Sequence, residues 1–338
     1  MRTDLFDYDL PEKLIAQYSV EPRDHSRLMV LDRETGRVEH KRFYEIVDEL
    51  HEGDVLVMNN TKVFRARLRG GVGERKVEVF LLRERDGLWD VLMQPGRHVS
   101  VGDVVKIGDV RGEVVEKADV FRVKFDRPAT DLVVFANAHG EIPIPPYVHE
   151  VPEHLDQYQT VYATEIGSVA APTSGFHFTE ELLERIRAKG VQIEYVTLHV
   201  GIGTFRPVKT DILEEHEMHA EFVAVSEKVA ERINLAKQEG RRVIAVGTTT
   251  VRTLEGIAAL HEGKLVGYSG DVNLFIKPGF EFHVIDALIT NFHLPKSTLL
   301  VLVSAFVGRE HVLSAYEQAV TETYRFFSFG DAMFVRYA

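Results

Sequence analysis

The spacing of apolar residues differs between three regions of the chain. Residues 1–60 mix helical and strand patterns. LPEKLIAQY is amphipathic, RLMVLDRETGRVEHKRF has two alternating runs around a turn at residues 34–36, and DVLVMNN has the apolar run of a short buried strand. These patterns predict, in chain order, a helix, a hairpin, a second helix and a strand.

Residues 62–125 show a second pattern of short alternating runs. VFRARLRG, KVEVFLLRE, LWDVLMQP and FRVKF are among these runs, and turns rich in Gly, Asp and Pro separate them. Short strands at close spacing, with no long helical run between them, are typical of a small antiparallel barrel. The helical run ATDLVVFANAHG follows, and prolines in EIPIPPYVHEVPEHLDQYQTVYA exclude helix over much of the return linker.

From about residue 160, helix and strand patterns alternate. The predicted helices TEELLERIRAKG, SEKVAERINLAKQEG and TVRTLEGIAAL alternate with the predicted strands VQIEYVTLHVG, RRVIAVG and FHVIDALIT, and a long helical tail ends the chain. Such alternation favours an α/β layer with a largely parallel sheet. The predicted fold class is therefore α/β, with a layered α/β domain (1–61 and 152–338) into which a small antiparallel β-barrel domain (62–151) is inserted.

Composition restricts the possible chemistry. The 338 residues include no cysteine, which excludes disulfides, thiolate metal sites, iron–sulfur clusters and cysteine nucleophiles. No run approaches the roughly 20 apolar residues that a membrane span needs, and the start, MRTDLFDYDLPEK, lacks the apolar core of a signal peptide. We therefore expect a cytoplasmic protein whose chemistry uses His, carboxylates, hydroxyls, amides and basic groups.

Charge is unevenly distributed. The net charge of −12 argues against nonspecific polyanion binding by the whole surface, yet residues 61–85 carry eight Lys and Arg against three Glu. Arg65, Arg67 and Arg69 alternate, which would place them on one face of a strand where they could follow a phosphate backbone. The alternative is an exposed barrel face whose charges protect a sheet edge.

The stretch APTSGFHFT, residues 171–179, places one histidine between two phenylalanines. Pro172 and Gly175 indicate a loop, and Thr179 followed by two glutamates is a plausible helix start. His177 is therefore predicted at a turn just before a helix. Anchoring of the loop by the phenylalanines, with the histidine bound to a backbone carbonyl, is the purely structural alternative.

Two further loops fall where predicted strands end, the usual ligand-binding edge of an open α/β sheet. In TLHVGIGTFRP, Arg206 stands where a dinucleotide motif needs its third glycine, so we reject that motif and retain a loop whose bare backbone can approach a ligand. In AVGTTTVRTLEG, hydroxyls and free amides at a helix start could hold a carboxylate or phosphate. Thr249 and Arg252 in this stretch have ordinary capping and surface pairing as their alternatives.

Two more stretches contain histidines. HEMHAE, residues 216–221, could bring His216 and His219 to one helical face for a metal, but it is not HExxH and no third ligand is specified, and Glu217 could instead be a general base. ITNFHLPKSTLL contains Asn291 and His293 at a strand-to-helix turn. Several such turns in one domain indicate the walls of one aromatic and polar site.

Taken together, these stretches resemble the S-adenosylmethionine:tRNA ribosyltransferase-isomerase family of queuosine biosynthesis. The resemblance extends over nearly the full chain and is weakest in the inserted barrel. The stretches that carry it are DLFDYDLPEKLIAQ, DVLVMNNTKVFRARL, HGEIPIPPYV, GSVAAPTSGFHFTEELLERI, VTLHVGIGTFRPV, HEMHAE, VIAVGTTTVRTLE and TNFHLPKSTLLVLVSAFVG. In SGDVNLFIKPGF, Asn273 and Lys277 depart from the Asp and Tyr of the family pattern.

The resemblance implies an enzyme that transfers and isomerises the ribosyl moiety of S-adenosylmethionine onto 7-aminomethyl-7-deazaguanine at the tRNA wobble position. The products would be epoxyqueuosine-tRNA, adenine and methionine. S-adenosylmethionine is then a co-substrate, and we expect no metal and no other cofactor. On family grounds we also expect a monomer whose partners are tRNA and S-adenosylmethionine. A noncatalytic tRNA-binding protein and a metal-dependent hydrolase are the alternatives from other classes.

Such a reaction needs proton transfer, aromatic contacts to the sulfonium or adenine, and a pocket for the methionine carboxylate. We predict His177 and His199 as the first candidates for proton transfer, with Glu217 and His293 behind them. The predicted substrate-binding residues are Thr173, Phe176, Phe178, Gly201, Gly203, Thr204, Phe205, Thr249, Arg252 and Asn291. The predicted tRNA-binding residues are Lys62, Arg65, Arg67 and Arg69.

Overall fold

The structure is a computed structural model that describes residues 1–144, 147–149, 154–201, 208, 210–218 and 220–337. Its strands are β1 (Arg27–Asp32), β2 (Val38–Arg42), β3 (Val55–Asn59), β4 (Thr61–Val63), β5 (Arg67–Val72), β6 (Arg75–Arg85), β7 (Leu88–Gln94), β8 (Val104–Ile107), β9 (Val110–Lys117), β10 (Phe121–Phe125), β11 (Glu165–Ser168), β12 (Gln192–Leu198), β13 (Glu221–Val225), β14 (Val243–Val246), β15 (Tyr268–Val272), β16 (Ala287–Asn291) and β17 (Ala332–Arg336). Its helices are α1 (Ile46–Glu49), α2 (Ala129–His139), α3 (Glu180–Ala188), α4 (Glu227–Gln238), α5 (Thr248–Leu260), α6 (Thr298–Val307) and α7 (Arg309–Thr321).

The chain divides into two compact units. The first, here called the sheet unit, comprises Met1–Thr61, Gln159–Glu165 and Pro172–Ala338. The second, the barrel unit, comprises Lys62–Tyr158 and Ile166–Ala171. The predicted fold class, an α/β layer with an inserted antiparallel barrel, is confirmed.

The sheet unit is built on a mixed sheet with the strand order β15-β13-β12-β3-β14-β16-β17-β1-β2. The four middle strands β12, β3, β14 and β16 run parallel, and β17 and β1 run in the opposite direction. Every residue of β3, β14 and β16 is buried. This burial explains the unbroken apolar runs of these strands, because a strand covered on both faces has no need for alternation.

Two helices of the sheet unit, α3 and α4, begin at side-chain caps, and the sequence indicated the first of these, Thr179. The Thr179 hydroxyl accepts from the backbone N–H of Leu182 at 3.1 Å, and Ser226 caps α4 in the same way. Leu182, Leu183 and Ile186 of α3 join the core cluster that contains Leu56 and Met58 of β3. Alternate residues of the central strand therefore anchor α3 to the sheet.

The barrel unit contains a closed antiparallel barrel with the strand order β10-β7-β6-β5-β8-β9. Alternating residues of β6 and β7, such as Val79 and Val91, point inward and are fully buried. Gly112 lies where a Cβ atom would approach Val123 to 2.5 Å, so β9 can pass β10 only without a side chain at that position. The predicted barrel and the helix α2 that follows it are confirmed.

Several local predictions are wrong. LPEKLIAQY contains a 3₁₀ turn at Glu12–Leu14 rather than a helix, because Leu14 and Ala16 pair their backbone groups with Phe326. The helical tail is interrupted at Gly308, whose φ of 104° ends α6. Strands β13, β15 and β17 were not predicted. In the part of the chain that the structure describes, no single helix is long and apolar enough to cross a membrane; α6 and α7 pass that test only as a pair bent by 117°.

Candidate active site

One edge of the large sheet collects most of the polar residues that the sequence singled out. The strands β12, β3, β14 and β16 end there, and β1 and β17 begin there, because they run the other way. We call this the carboxyl edge, and the opposite edge the amino edge. Its polar residues lie at or just after strand ends: His199 after β12, Asn59 at the end of β3 with Thr61 just after it, Thr249 after β14, and Asn291 at the end of β16. Ligands of open α/β sheets bind at such an edge.

His177 lies at the end of the 3₁₀ turn Thr173–His177 and is only 4% exposed. Its Nδ1 is 2.8 Å from the Ser26 hydroxyl, and its Nε2 is 3.2 Å from the side-chain nitrogen of Asn291. The ring packs against Phe43 with a centroid separation of 4.9 Å. Burial, followed by the positive charges of Arg23 and Arg325, lowers the pKa of His177 to about 3, so the ring is neutral at pH 7.

The two phenylalanines beside His177 have different surroundings. Phe176 stacks on Phe329, and the guanidinium of Arg23 lies 5.3 Å from its ring centroid. These residues, with Ser26 and His177, border a cavity of about 10 Å³. Phe178 is fully buried in the core and meets Phe43 edge to face at 5.0 Å. Phe176 therefore faces a small cavity, whereas Phe178 anchors the turn to the core.

His199 is half-buried and is oriented by two contacts. Its Nδ1 is 2.8 Å from the Thr61 hydroxyl, and its ring stacks on Phe222 at 5.4 Å with an interplanar angle of 19°. Its backbone N–H donates to the carbonyl of Phe222, which continues the pairing of β12 with β13. The imidazole is thus held in one orientation at the carboxyl edge.

Asn59 connects three elements of this edge and is completely buried. Its side-chain nitrogen donates to the carbonyl of Leu198 at 3.0 Å and to the Thr249 hydroxyl at 3.3 Å. Its side-chain oxygen accepts from the backbone N–H groups of Thr61 and Leu198, both at 3.1 Å. One amide therefore uses both of its polar atoms to join the ends of β3 and β12 to the first turn of α5.

Arg252 forms a buried ion pair with Glu221, the first residue of β13. Both side chains are 7% exposed, and the guanidinium donates to one carboxylate oxygen of Glu221. The other oxygen accepts from the backbone N–H of Gly201 at 3.2 Å. The predicted anion-binding arginine is therefore held by an internal carboxylate beside the first turn of α5.

Gly247 brings the His177 turn next to the first turn of α5. Its φ of 86° and ψ of 151° are accessible almost only to glycine. A Cβ atom at this position would lie 3.6 Å from the hydroxyl oxygens of both Ser174 and Thr249. The His177 turn and the first turn of α5 thus approach each other at a residue without a side chain.

His293 is a second buried histidine, 4% exposed, but it belongs to a different neighbourhood. Its Nε2 is 2.9 Å from the Thr290 hydroxyl, and its backbone groups bind the hydroxyls of Tyr316 and Tyr8. Its Nδ1 is buried without a hydrogen-bond partner in the described ranges. Burial lowers the pKa of His293 to about 3, so it too is neutral at pH 7.

The remaining predicted residues are dispersed. Thr173 is half-buried at the start of the His177 turn, and Glu217 is exposed. His216 follows the 3₁₀ turn Leu213–Glu215, and residues 216–218 are not helical. Among the described residues no cluster of three His, Asp or Glu side chains could hold a metal ion. Gly203, Thr204, Phe205, Arg206 and His219 lie outside the described residues.

The predicted tRNA-binding residues lie near the start of the barrel unit. Arg67 and Arg69 are in β5, but Arg65 precedes that strand and Lys62 is in β4, so the prediction of three arginines on one strand face is wrong for Arg65. The side chain of Arg69 is 78% exposed and pairs with Glu141 at 2.7 Å. Arg67 lies 3.8 Å from Glu78, with its guanidinium over the ring of Phe80.

Sequence reasoning missed four polar residues of the carboxyl edge. Asn59 and Thr61 follow the apolar run VLVM, and a strand end of this kind was a usable signal. Ser26 and Glu221 had no such signal, because Ser26 precedes a strand of opposite direction and Glu221 begins a strand that the sequence did not predict. Both reach the site only through tertiary contacts.

Comparison with known proteins supplies the family context. Residues 3–335 match the family model of the queuosine biosynthesis protein. The crystal structure of an S-adenosylmethionine tRNA ribosyltransferase from Thermotoga maritima is similar, with 40% sequence identity, a TM-score of 0.58, and coverage of 98% of this chain and 99% of that chain.

Proposed function

The chain belongs to the queuosine biosynthesis protein family, and we propose that it transfers and isomerises the ribosyl moiety of S-adenosylmethionine onto 7-aminomethyl-7-deazaguanine at the tRNA wobble position. The proposed products are epoxyqueuosine-tRNA, adenine and methionine. At the coarser level, the chain is an enzyme, a tRNA ribosyltransferase of queuosine biosynthesis that uses S-adenosylmethionine. The accepting base, the isomerisation and the products are the proposal.

The observation that carries the proposal is the orientation of His199 at the carboxyl edge. The reaction needs a base that takes a proton from the ribosyl carbon next to the sulfonium and leaves the electron pair on that carbon, which the positive sulfur stabilises. That pair forms a double bond to the neighbouring ring carbon as its bond to the ring oxygen breaks. The ring oxygen then forms a carbonyl at the anomeric carbon, and adenine leaves with the electrons of its glycosidic bond and takes up a proton. His199 is half-buried, and its ring is held by the Thr61 hydroxyl and Phe222. We assign proton transfer first to this residue.

His177 and His293 are less suited to act as acids, since burial lowers the pKa of each to about 3. A neutral imidazole can still bind and orient polar groups. We therefore assign His177, with Asn291 and the adjacent ring of Phe176, to the shaping of the site. Glu217 is exposed, and its predicted role as a base remains a prediction.

The pair formed by Arg252 and Glu221 offers opposite charges to the methionine part of S-adenosylmethionine. The methionine carboxylate would bind beside Arg252 and the first turn of α5, where Thr249 lies. The methionine ammonium group would bind beside Glu221. Arg252→Gln should then narrow the kcat/KM preference for S-adenosylmethionine over its decarboxylated analogue. An unchanged kcat/KM ratio between the two compounds would show that Arg252 does not bind the methionine carboxylate.

The decisive experiment is adenine release from S-adenosylmethionine, measured with EDTA present. It compares tRNA that carries 7-aminomethyl-7-deazaguanine with the same tRNA that carries guanine. Release with the modified tRNA alone is expected, because the aminomethyl group is the proposed acceptor. Release with neither tRNA, while both still bind, would instead favour a noncatalytic tRNA-binding protein. Release lost on EDTA addition would favour metal-dependent chemistry.

A further inference from the structure

We propose that Ser26 and Asn291 are positioning residues that hold His177 in a single neutral tautomer with its proton on Nδ1. In this arrangement the hydroxyl proton of Ser26 points away from the imidazole and into the neighbouring cavity. The inference deepens the proposed function, on which its catalytic meaning rests, because His177 belongs to the proposed site. The tautomer itself can be measured without turnover.

The direction of the hydrogen bonds follows from Asn291. Its side-chain nitrogen lies 3.1 Å from the backbone carbonyl oxygen of Phe327 and 3.2 Å from Nε2 of His177. A carbonyl oxygen has no hydrogen to donate, so the group facing it must be the amide nitrogen. Turning the amide over would place two acceptor oxygens about 3.1 Å apart and leave both N–H bonds of the amide without these partners. The second N–H of Asn291 therefore donates to Nε2.

The tautomer follows from this assignment. A neutral imidazole that accepts a hydrogen bond at Nε2 carries its proton on Nδ1. The Ser26 oxygen, 2.8 Å from Nδ1, is then the acceptor of that N–H bond. Both side chains are buried, with His177 4% and Ser26 2% exposed, so bulk water does not compete for these bonds. The low pKa of His177 agrees with a neutral ring.

The Ser26 hydroxyl must then donate elsewhere. Ser26 borders the cavity of about 10 Å³ that Arg23, Phe176, Ser328 and Phe329 also line. A cavity of this size holds about one water molecule or the edge of a polar substituent. In the proposed arrangement, the proton of the Ser26 hydroxyl is therefore directed toward this cavity.

The direction of these hydrogen bonds distinguishes Ser26, His177 and Asn291 from a site with a nucleophilic serine. In a Ser-His-Asp triad the histidine accepts from the serine and donates to the carboxylate, which activates the serine oxygen. Here the histidine donates to the serine and accepts from an amide. Ser26 is thus a support for His177 and is not activated as a nucleophile.

The test is ¹⁵N NMR of protein labelled in histidine, with the His177 signals assigned by their loss in His177→Asn. We expect the shifts of an Nδ1-protonated neutral ring at pH 7. An Nε2-protonated ring, an imidazolium or an averaged mixture would overturn the proposal. Asn291→Asp should move the proton to Nε2, because a carboxylate accepts and cannot donate. Thr290→Val is the matched control: it removes a hydroxyl from His293 and should leave the His177 signals unchanged.

A second set of variants keeps the proposal testable if Asn291→Asp fails to fold. Ser26→Ala should lower kcat roughly 10-fold with KM within about 2-fold, and Ser26→Thr, which keeps the hydroxyl, should recover most of the loss. A Ser26→Ala variant with a lower Tm but unchanged kcat would assign Ser26 a structural role only. If the wild-type protein releases no adenine with any tRNA, the proposed function fails, while the NMR result on the tautomer stands independently.

Discussion

The two edges of the large sheet bind their polar groups in different ways. At the amino edge, ion pairs do this: Arg242 binds Asp54 through two nitrogens, Lys237 binds Asp286 at 2.7 Å, and Arg336 binds Glu49 at 2.8 Å. At the carboxyl edge, amides, hydroxyls and imidazoles bind one another, and the charged exceptions include the pair of Arg252 and Glu221 and the buried carboxyl of Asp331. Ion pairs thus join the amino edge, whereas the carboxyl edge, the proposed active site, is joined mainly by uncharged groups.

The reason is the cost of burying charge. The ion pairs of the amino edge join parts of the protein to each other, whereas neutral donors and acceptors can exchange partners at a smaller cost in desolvation. The carboxyl edge accordingly places its polar groups where a substrate with a positive sulfonium and a polar base could be received.

The largest effect is expected at the amino edge. Asp54→Ala should lower the free energy of unfolding by roughly 3 kcal/mol or more, because it leaves the Arg242 guanidinium partly buried without its partner. Chemical denaturation measures this change. The control Glu239→Ala breaks the exposed pair with Arg241 and should cost less than about 1 kcal/mol. If both variants lowered the free energy of unfolding by similar amounts, the pair of Arg242 and Asp54 would contribute no more to stability than an exposed pair.

At the carboxyl edge the expected loss is in activity. His199→Ala should lower kcat/KM for adenine release roughly 10²-fold, since a positioned proton-transfer group is lost, while the free energy of unfolding changes little because the residue is only half-buried. Thr61→Val, which removes only the hydroxyl that orients Nδ1, should give a smaller loss. Turnover within a few-fold of wild type in His199→Ala would show that another group transfers the proton.

The buried histidines predict how stability depends on pH. The folded-state pKa values of His177 and His293 are about 3, below the usual 6.5, so the unfolded chain binds more protons between these values. Stability from these residues is fully present above about pH 6.5 and is lost as the pH falls toward 3, with a slope of about 1.4 kcal/mol per pH unit for each histidine. Denaturation of His177→Gln at several pH values should show a shallower slope. An unchanged slope would contradict the burial of a neutral imidazole.

The smallest effect is expected in the barrel unit. Arg67→Glu and Arg69→Glu should weaken tRNA binding by similar factors for modified and unmodified tRNA, and should flatten its dependence on salt concentration. Fluorescence anisotropy over a salt series measures both quantities. Arg83→Glu, on another strand, is the matched control for net charge. Equal losses in all three variants would indicate a general charge effect rather than a binding surface on β5.

The sequence predicted which helices and strands are present better than it predicted their boundaries. The barrel, the alternation of helices and strands, and the helix start at Thr179 follow from local patterns and are confirmed. The first predicted helix is wrong because Leu14 and Ala16 bind Phe326, more than 300 residues away in the chain. The local helix propensity of this segment was overridden by backbone hydrogen bonds to a residue far away in the sequence, which local patterns do not reveal.

The sequence by itself determined which residue types are available and where strands end, since burial on both faces of a strand and helix caps leave local signatures. It therefore indicated His177, His199, Thr249 and Asn291 as members of one edge. Only the tertiary structure decided their partners. Ser26 and His177 are 151 positions apart, and Thr61 and His199 are 138 apart. Hydrogen-bond direction and burial depend on such contacts, and these two properties distinguish a buried neutral histidine from one placed to transfer a proton.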